Sequence, residues 1–135
     1  MKVILDTNVL MSGIFFSGPP YEILNAWHNS RVTLVVSAEI MDEYRRVGHR
    51  LMAKYPSVEV DPILALIAVH GDFVMAPALS EPVCDDSTDD MFFACAIAAR
   101  CKTIVSGDKH LHQANGYGGV EVLSPRSFVE KHLAQ

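Results

Sequence analysis

Asp89-Asp90-Met91-Phe92-Phe93-Ala94-Cys95-Ala96-Ile97-Ala98-Ala99-Arg100, with Thr103-Ile104-Val105-Ser106 two residues beyond it, is the stretch on which the fold turns. The first part holds no glycine or proline and predicts a helix over Asp89–Arg100 that is apolar on nearly every side. Such a helix has no face to offer water and belongs in the interior. The second part is a short β-branched and apolar strand. A buried helix feeding a buried strand is the local unit of a layered α/β fold.

The same alternation continues outward in both directions. Lys2 to Asp6 predicts a strand, Pro20 to Asn29 a helix through Ile23, Leu24 and Trp27, and Arg31 to Val36 a second strand. Ser37 can cap a helix running to about Gly48, and Val60 to His70 is again helical. Asp72 to Ala76 predicts a third strand, and Pro77 to Thr88, rich in Pro, Ser and acids, a loop. After Thr103–Ser106, a last strand spans Val120 to Leu123, and Ser124 with Pro125 reads as a cap and first helical residue. The expectation is a three-layer α/β/α domain with a parallel central sheet, with residues 1–135 forming one domain without repeats or linkers.

Bulk properties agree with that size and class. At 135 residues, half of them hydrophobic and a fifth charged, the chain can bury one core without staples. Cys84, Cys95 and Cys101 form no C-x-x-C pair and leave one unpaired in any disulfide scheme, which points to a reducing compartment. The longest apolar run, Met91–Ala99, is shorter than the roughly 20 residues of a membrane helix, and no cleavable signal precedes the first strand. A cytoplasmic protein with no membrane association is expected.

The net charge of −5 conceals an uneven distribution. Between Lys54 and Arg100 there are eight acidic residues and no Lys or Arg, which leaves the rest of the chain, with eight acids and all eleven Lys and Arg, at +3. A carboxylate cluster without cationic partners needs either solvent or a divalent cation to neutralise it.

In parallel sheets, ligands bind beyond the carboxyl ends of the strands. Asp6 closes the run Val3-Ile4-Leu5, and Asp108 follows Ile104-Val105-Ser106-Gly107, so both can reach one edge. Asp89 opens the buried helix at that edge as well. Taken singly, each acid has an ordinary explanation: Asp89 and Asp90 suit a helix N-terminus, Ser87 with Asp90 resembles a capping box, and Asp6 and Ser-Gly-Asp suit turns. Convergence is what distinguishes them. Glu43 borders the apolar stripe of its helix between Ile40 and Val47 and is a fourth candidate.

These segments resemble the PIN-domain ribonucleases, specifically the VapC-like branch that serves as toxins in toxin–antitoxin pairs, over essentially the whole chain. Val3-Ile4-Leu5-Asp6-Thr7-Asn8-Val9-Leu10-Met11-Ser12 is similar to the first-strand motif of that branch. Cys84-Asp85-Asp86-Ser87-Thr88-Asp89-Asp90-Met91-Phe92-Phe93 resembles its C-x-D-P-x-D-N-x-F-L signature, Ile104-Val105-Ser106-Gly107-Asp108-Lys109 its strand-(T/S)-G-D-K motif, and Ser124-Pro125-Arg126-Ser127-Phe128 its closing P-x-x-F. The resemblance implies an acidic site at Asp6, Glu43, Asp89 and Asp108, supported by Asn8 and Ser106. Ser87 and Asp90 replace the family's Pro and Asn, so Asp90 is a further candidate ligand beside Asp89. His110 stands where the family often has a second aspartate.

The resemblance also implies a ribonuclease dependent on Mg2+ or Mn2+, with Asp6, Asp89 and Asp108 as ligands and Glu43 binding directly or through water. These hard cations prefer carboxylate oxygens and bridge to phosphates. An RNA substrate, a cognate antitoxin protein and a homodimer are implied as partners. Arg46, Arg50 and Lys54 recur at spacing four and could carry substrate phosphates, or simply form a solvated helix face. His110 and His112 lack a third soft ligand for zinc and read as an exposed loop, and Trp27, Met91, Phe92 and Phe93 read as core. Two rivals remain: a PIN-like module that binds RNA or protein without cutting, and a haloacid-dehalogenase-like phosphatase, whose second aspartate would stand where Asn8 is.

Overall fold

The computed structural model describes residues 1–134 and contains a five-stranded, wholly parallel sheet in the order β3-β2-β1-β4-β5. The strands are β1 (Lys2–Leu5), β2 (Thr33–Val36), β3 (Asp72–Phe73), β4 (Thr103–Val105) and β5 (Glu121–Leu123). The seven α-helices are α1 (Thr7–Phe15), α2 (Pro19–His28), α3 (Ala38–Lys54), α4 (Asp61–His70), α5 (Asp90–Ala99), α6 (Lys109–Gln113) and α7 (Pro125–Phe128). Parallel strands need crossover connections, and helices laid on the two faces produce the three expected layers.

Strands β1, β2 and β4 form the hydrophobic heart. Val3, Ile4, Leu5, Leu34, Val35, Val36, Ile104 and Val105 are all buried, a continuous run rather than an alternation, because both faces are covered. Helix α5 packs on β2 and β4, with Phe92, Phe93, Cys95 and Ala96 buried. Phe92 and Phe93 are core as expected, whereas Trp27 and Met91 are half-buried against it. The three cysteines are buried and free. Among the described residues no helix is long and apolar enough to cross a membrane.

Several boundaries differ from the sequence expectation. Helix α1 follows β1 directly. Its sequence, Thr-Asn-Val-Leu-Met-Ser-Gly-Ile-Phe, is apolar on most sides and lacks the one-sided periodicity that marks a surface helix. Gly13 lets α2 approach, since a Cβ there would stand 2.7 Å from Leu24 Cδ1 and 2.9 Å from Pro20 O. Helix α3 continues past Gly48 to Lys54, so Glu43, Arg46, Arg50 and Lys54 all lie on one helix. Strand β3 is only two residues long. Residues Ser87–Asp89 form a 3-10 turn capped by Asp86, and α5 begins at Asp90. The His110–His112 segment is helix α6, not an exposed loop: His112 Nε2 lies 2.6 Å from Ser106 O and both rings are half-buried.

Candidate active site

Because β1 and β4 are neighbours in register, with Leu5 beside Val105, the residues that come after them emerge side by side. The Asp6 N–H donates to Val105 O at 3.0 Å. Asp6 then leaves the strand as the N-cap of α1, its Oδ1 accepting the Val9 N–H at 2.8 Å. Its other oxygen accepts a short hydrogen bond from the Ser106 hydroxyl. The same hydroxyl oxygen accepts the Asp108 N–H at 2.8 Å, and Asp108 in turn caps α6 through the His110 N–H at 2.8 Å. Capping thus immobilises two carboxylates at the carboxyl edge of the sheet.

Glu43 comes to this edge from α3. Thr7 Oγ1 donates a short hydrogen bond to Glu43 Oε2, while Arg46 Nη2 stands 3.4 Å from Glu43 Oε1. The next residue of the helix, Tyr44, is fully buried and its hydroxyl donates to Leu5 O at 2.5 Å, anchoring α3 to β1 immediately before Asp6. Asp89 arrives from the 3-10 turn at the start of α5. Its Oδ2 is buried without a hydrogen-bond partner among the described residues.

Asp6, Glu43, Asp89 and Asp108 together line one cleft of about 240 Å3, with Asn8, Arg46, Arg50, Asp86 and Thr88 on its rim and Phe92 among its walls. A larger hollow of about 380 Å3 beside Trp27, Leu66 and His70 is lined without a carboxylate, so chemistry rather than size marks the site. Ser106 lies fully buried behind Asp6. Of the sequence-derived candidates, Lys54 ends α3 outside the cleft, 5.8 Å from the centre of the Tyr55 ring. Asp90 is also elsewhere. Its two oxygens accept the N–H groups of Val83 and Cys84 at 3.2 and 2.7 Å, and it lines a different depression. Only one of two adjacent aspartates faces the cleft.

Thr7, Asp86 and Thr88 were not singled out from the sequence. Thr7 sits inside the Asp-Thr-Asn motif, whose middle residue turns out to hold Glu43. Asp86 lay within the acidic window, but its place in the cleft depends on the turn it caps, where Thr88 N and Oγ1 donate to it at 3.0 and 2.7 Å.

Electrostatics mark the cleft as a place that wants positive charge. Burial pushes Asp6 from 3.8 up to about 6; the Ser106 and Val9 hydrogen bonds oppose this, and the charges of Asp108 and Glu43 add to it. Asp89 also rises to about 6, through burial first and then repulsion from Asp108, Asp86, Asp6 and Glu43. Asp86, held by Thr88, lies below the ordinary aspartate value. Like charges crowded at a partly desolvated edge are relieved by protonation or by a cation.

Oxygen donors of this kind, with an unsatisfied buried carboxylate oxygen among them, fit Mg2+ or Mn2+ and not a soft metal. Among the described residues no group of three or more His, Cys, Asp or Glu side chains forms a ready-made metal cage. The fit is to the oxygen chemistry of the donors, which suits a hard cation that keeps part of its own water shell.

Comparison with known proteins adds a match: the family described as PIN domain matches residues 2–110, which include Asp6, Glu43, Asp89 and Asp108. No curated protein matches the chain.

Proposed function

Since the chain belongs to the PIN domain family, whose members are usually nucleases, we propose that it is a Mg2+- or Mn2+-dependent endoribonuclease acting in a reducing cytoplasm as the toxin of a toxin–antitoxin pair. The observation that carries the catalytic part is the convergence of Asp6, Glu43, Asp89 and Asp108 on one cleft from four separate segments of chain. The toxin role rests on the similarity of the Asp-Thr-Asn opening and the 84–93 signature to that branch, and an antitoxin partner and a homodimer are proposed on the same basis.

Asp6, Asp89 and Asp108 would hold the ion, with Glu43 acting directly or through water. When bound, it would activate water for attack on a phosphodiester and stabilise charge on the leaving oxygen. The chain's own residues supply the rest. Ser106 fixes Asp6 and Asp108 relative to each other, and Thr7 fixes Glu43. Arg46 and Arg50, exposed on the cleft rim one helical turn apart, can hold phosphates of a strand entering beside the acids.

The test is cleavage of single-stranded RNA by purified protein with Mg2+ or Mn2+, against chelator and Asp6→Asn controls. Metal-dependent cutting lost in both controls is the expected result; cutting that survives both overturns the proposal. For the toxin role, induced expression should arrest growth, and Asp6→Asn should relieve it.

A further inference from the structure

A second depression, of about 440 Å3, lies under the 77–88 loop and is walled by Leu79, Pro82, Met91 and Ala94. It is joined to the acidic cleft. A shallow groove between them shares Glu39, Ser87 and Met91 with this pocket and Glu43, Arg46 and Thr88 with the cleft. The loop that roofs the pocket is tied down by Asp90, whose carboxylate holds the N–H groups of Val83 and Cys84. That explains why Asp90 faces away from its neighbour Asp89.

The pocket's chemistry is one-sided. Among the described residues its ionisable lining is Glu39, Glu81 and Asp90, with no Lys or Arg. Asp90 is spent on the loop, so the free carboxylates are the exposed Glu39 and Glu81. A phosphate is repelled from such a place, whereas a flat, mostly apolar group with hydrogen-bond donors on its edge is accepted. Arg46 stands beside Glu43 where the groove meets the cleft, and offers a cation to a phosphate lying between the acids and the pocket.

We propose that this pocket is a nucleobase subsite selective for guanine next to the scissile phosphate, with Glu39 as the reading residue. The inference rests on the ribonuclease reading and extends it to sequence preference. Single-stranded RNA offers unstacked bases that lie against apolar side chains and are read along their Watson–Crick edge. A carboxylate only accepts hydrogen bonds. Guanine presents two adjacent donors, N1–H and the N2 amino group, matching its two oxygens; cytosine and adenine offer one amino group, and uracil a lone N3–H between two repelling carbonyls. Met91 and Leu79 supply the apolar faces.

The experiment titrates guanosine, cytidine, adenosine and uridine 5′-monophosphates into the full chain without metal, followed by amide NMR shifts. In parallel, a randomised RNA is cleaved with Mn2+ and the cut sites are sequenced. GMP should bind about tenfold tighter than UMP, shift the amides of Leu79, Ser87 and Met91, and lose its advantage in Glu39→Gln, while cut sites become enriched in an adjacent guanine only with Glu39 intact. Equal binding of GMP and UMP, shifts confined to other regions, a preference unchanged in Glu39→Gln, or cut sites with no guanine enrichment would each overturn the subsite. Selective GMP binding through Glu39 in a protein that cuts no RNA under any divalent ion would support the pocket and overturn the nuclease reading alone.

Discussion

The hydroxyl of Ser106 donates to the carboxylate of Asp6 across one hundred positions of sequence. It also accepts the Asp108 N–H, so one buried side chain sets the spacing of two acids that follow different strands and cap different helices. Ser106→Ala should therefore weaken divalent-ion binding by about 10- to 100-fold, as loss of a supporting hydrogen bond around a metal ligand does. Calorimetric titration with Mn2+ measures this. An affinity equal to that of the unaltered protein would remove Ser106 from the site.

Asp6→Asn and Asp89→Asn should each reduce RNA cleavage by roughly two to three orders of magnitude, the loss typical of removing one electrostatic element from a reaction site. Neither should unfold the chain. Asn still caps α1 well at position 6, and replacing a buried carboxylate with a neutral amide removes a desolvation penalty. Melting temperatures near neutral pH should be unchanged or raised. A clear drop in stability would mean that these acids are structural ion-pair partners instead.

Stability should also depend on pH in a direction opposite to that of a salt-bridged acid. With the folded value of Asp6 at about 6 against 3.8 for the ordinary group, the native state holds more protons between these limits. Stability contributed by this group is thus lost as pH rises through that window. Two units correspond to about 3 kcal/mol at most for the buried Asp6; Asp89 acts in the same direction. Melts at about pH 5 and about pH 7.5 should show the apo protein weaker at the higher value, and millimolar Mg2+ or Mn2+ should recover the loss by binding the ionised form. A melt insensitive to both pH and metal would contradict the crowding of charge in the cleft.

Arg46 and Arg50 are exposed on the cleft rim, while Lys54 lies outside it. Replacing both arginines with alanine should weaken RNA binding and flatten its dependence on log salt by about 1.4, or roughly 0.7 for each phosphate contact on a single strand. Lys54→Ala should change the slope less. Measuring affinity across a salt series separates these cases, and identical slopes for all three proteins would assign the arginines to an ordinary solvated face.

Asp90→Ala tests the other half of the aspartate pair. Losing the acceptor for Val83 and Cys84 should destabilise the fold by about 1–3 kcal/mol in denaturant titration, because two loop N–H groups are left unpaired. Mn2+ affinity should stay near that of the unaltered chain. A selective loss of metal binding with intact stability would place Asp90 among the ligands after all.

Five strands and the longer helices were legible because their signals are local. Continuous apolar runs such as Thr33–Val36 and the capped, one-sided helix from Ser37 carry their period in adjacent residues. Helix α1 was not, since a segment buried on most sides has no polar face to set its phase. Helix α6, five residues long, is too short to show any period.

The residue types and their order along the chain were enough to establish a parallel α/β layer fold and to nominate Asp6, Glu43, Asp89 and Asp108, because strand ends and helix starts are written in neighbouring residues. Which of two adjacent aspartates enters the cleft, what Thr7 and Ser106 hold, and how a second pocket joins the acids were decided by folding alone. Those outcomes depend on β1 lying beside β4 and on a 3-10 turn rotating Asp89 and Asp90 apart, and contacts between residues as distant as 6 and 106 leave no trace in local pattern.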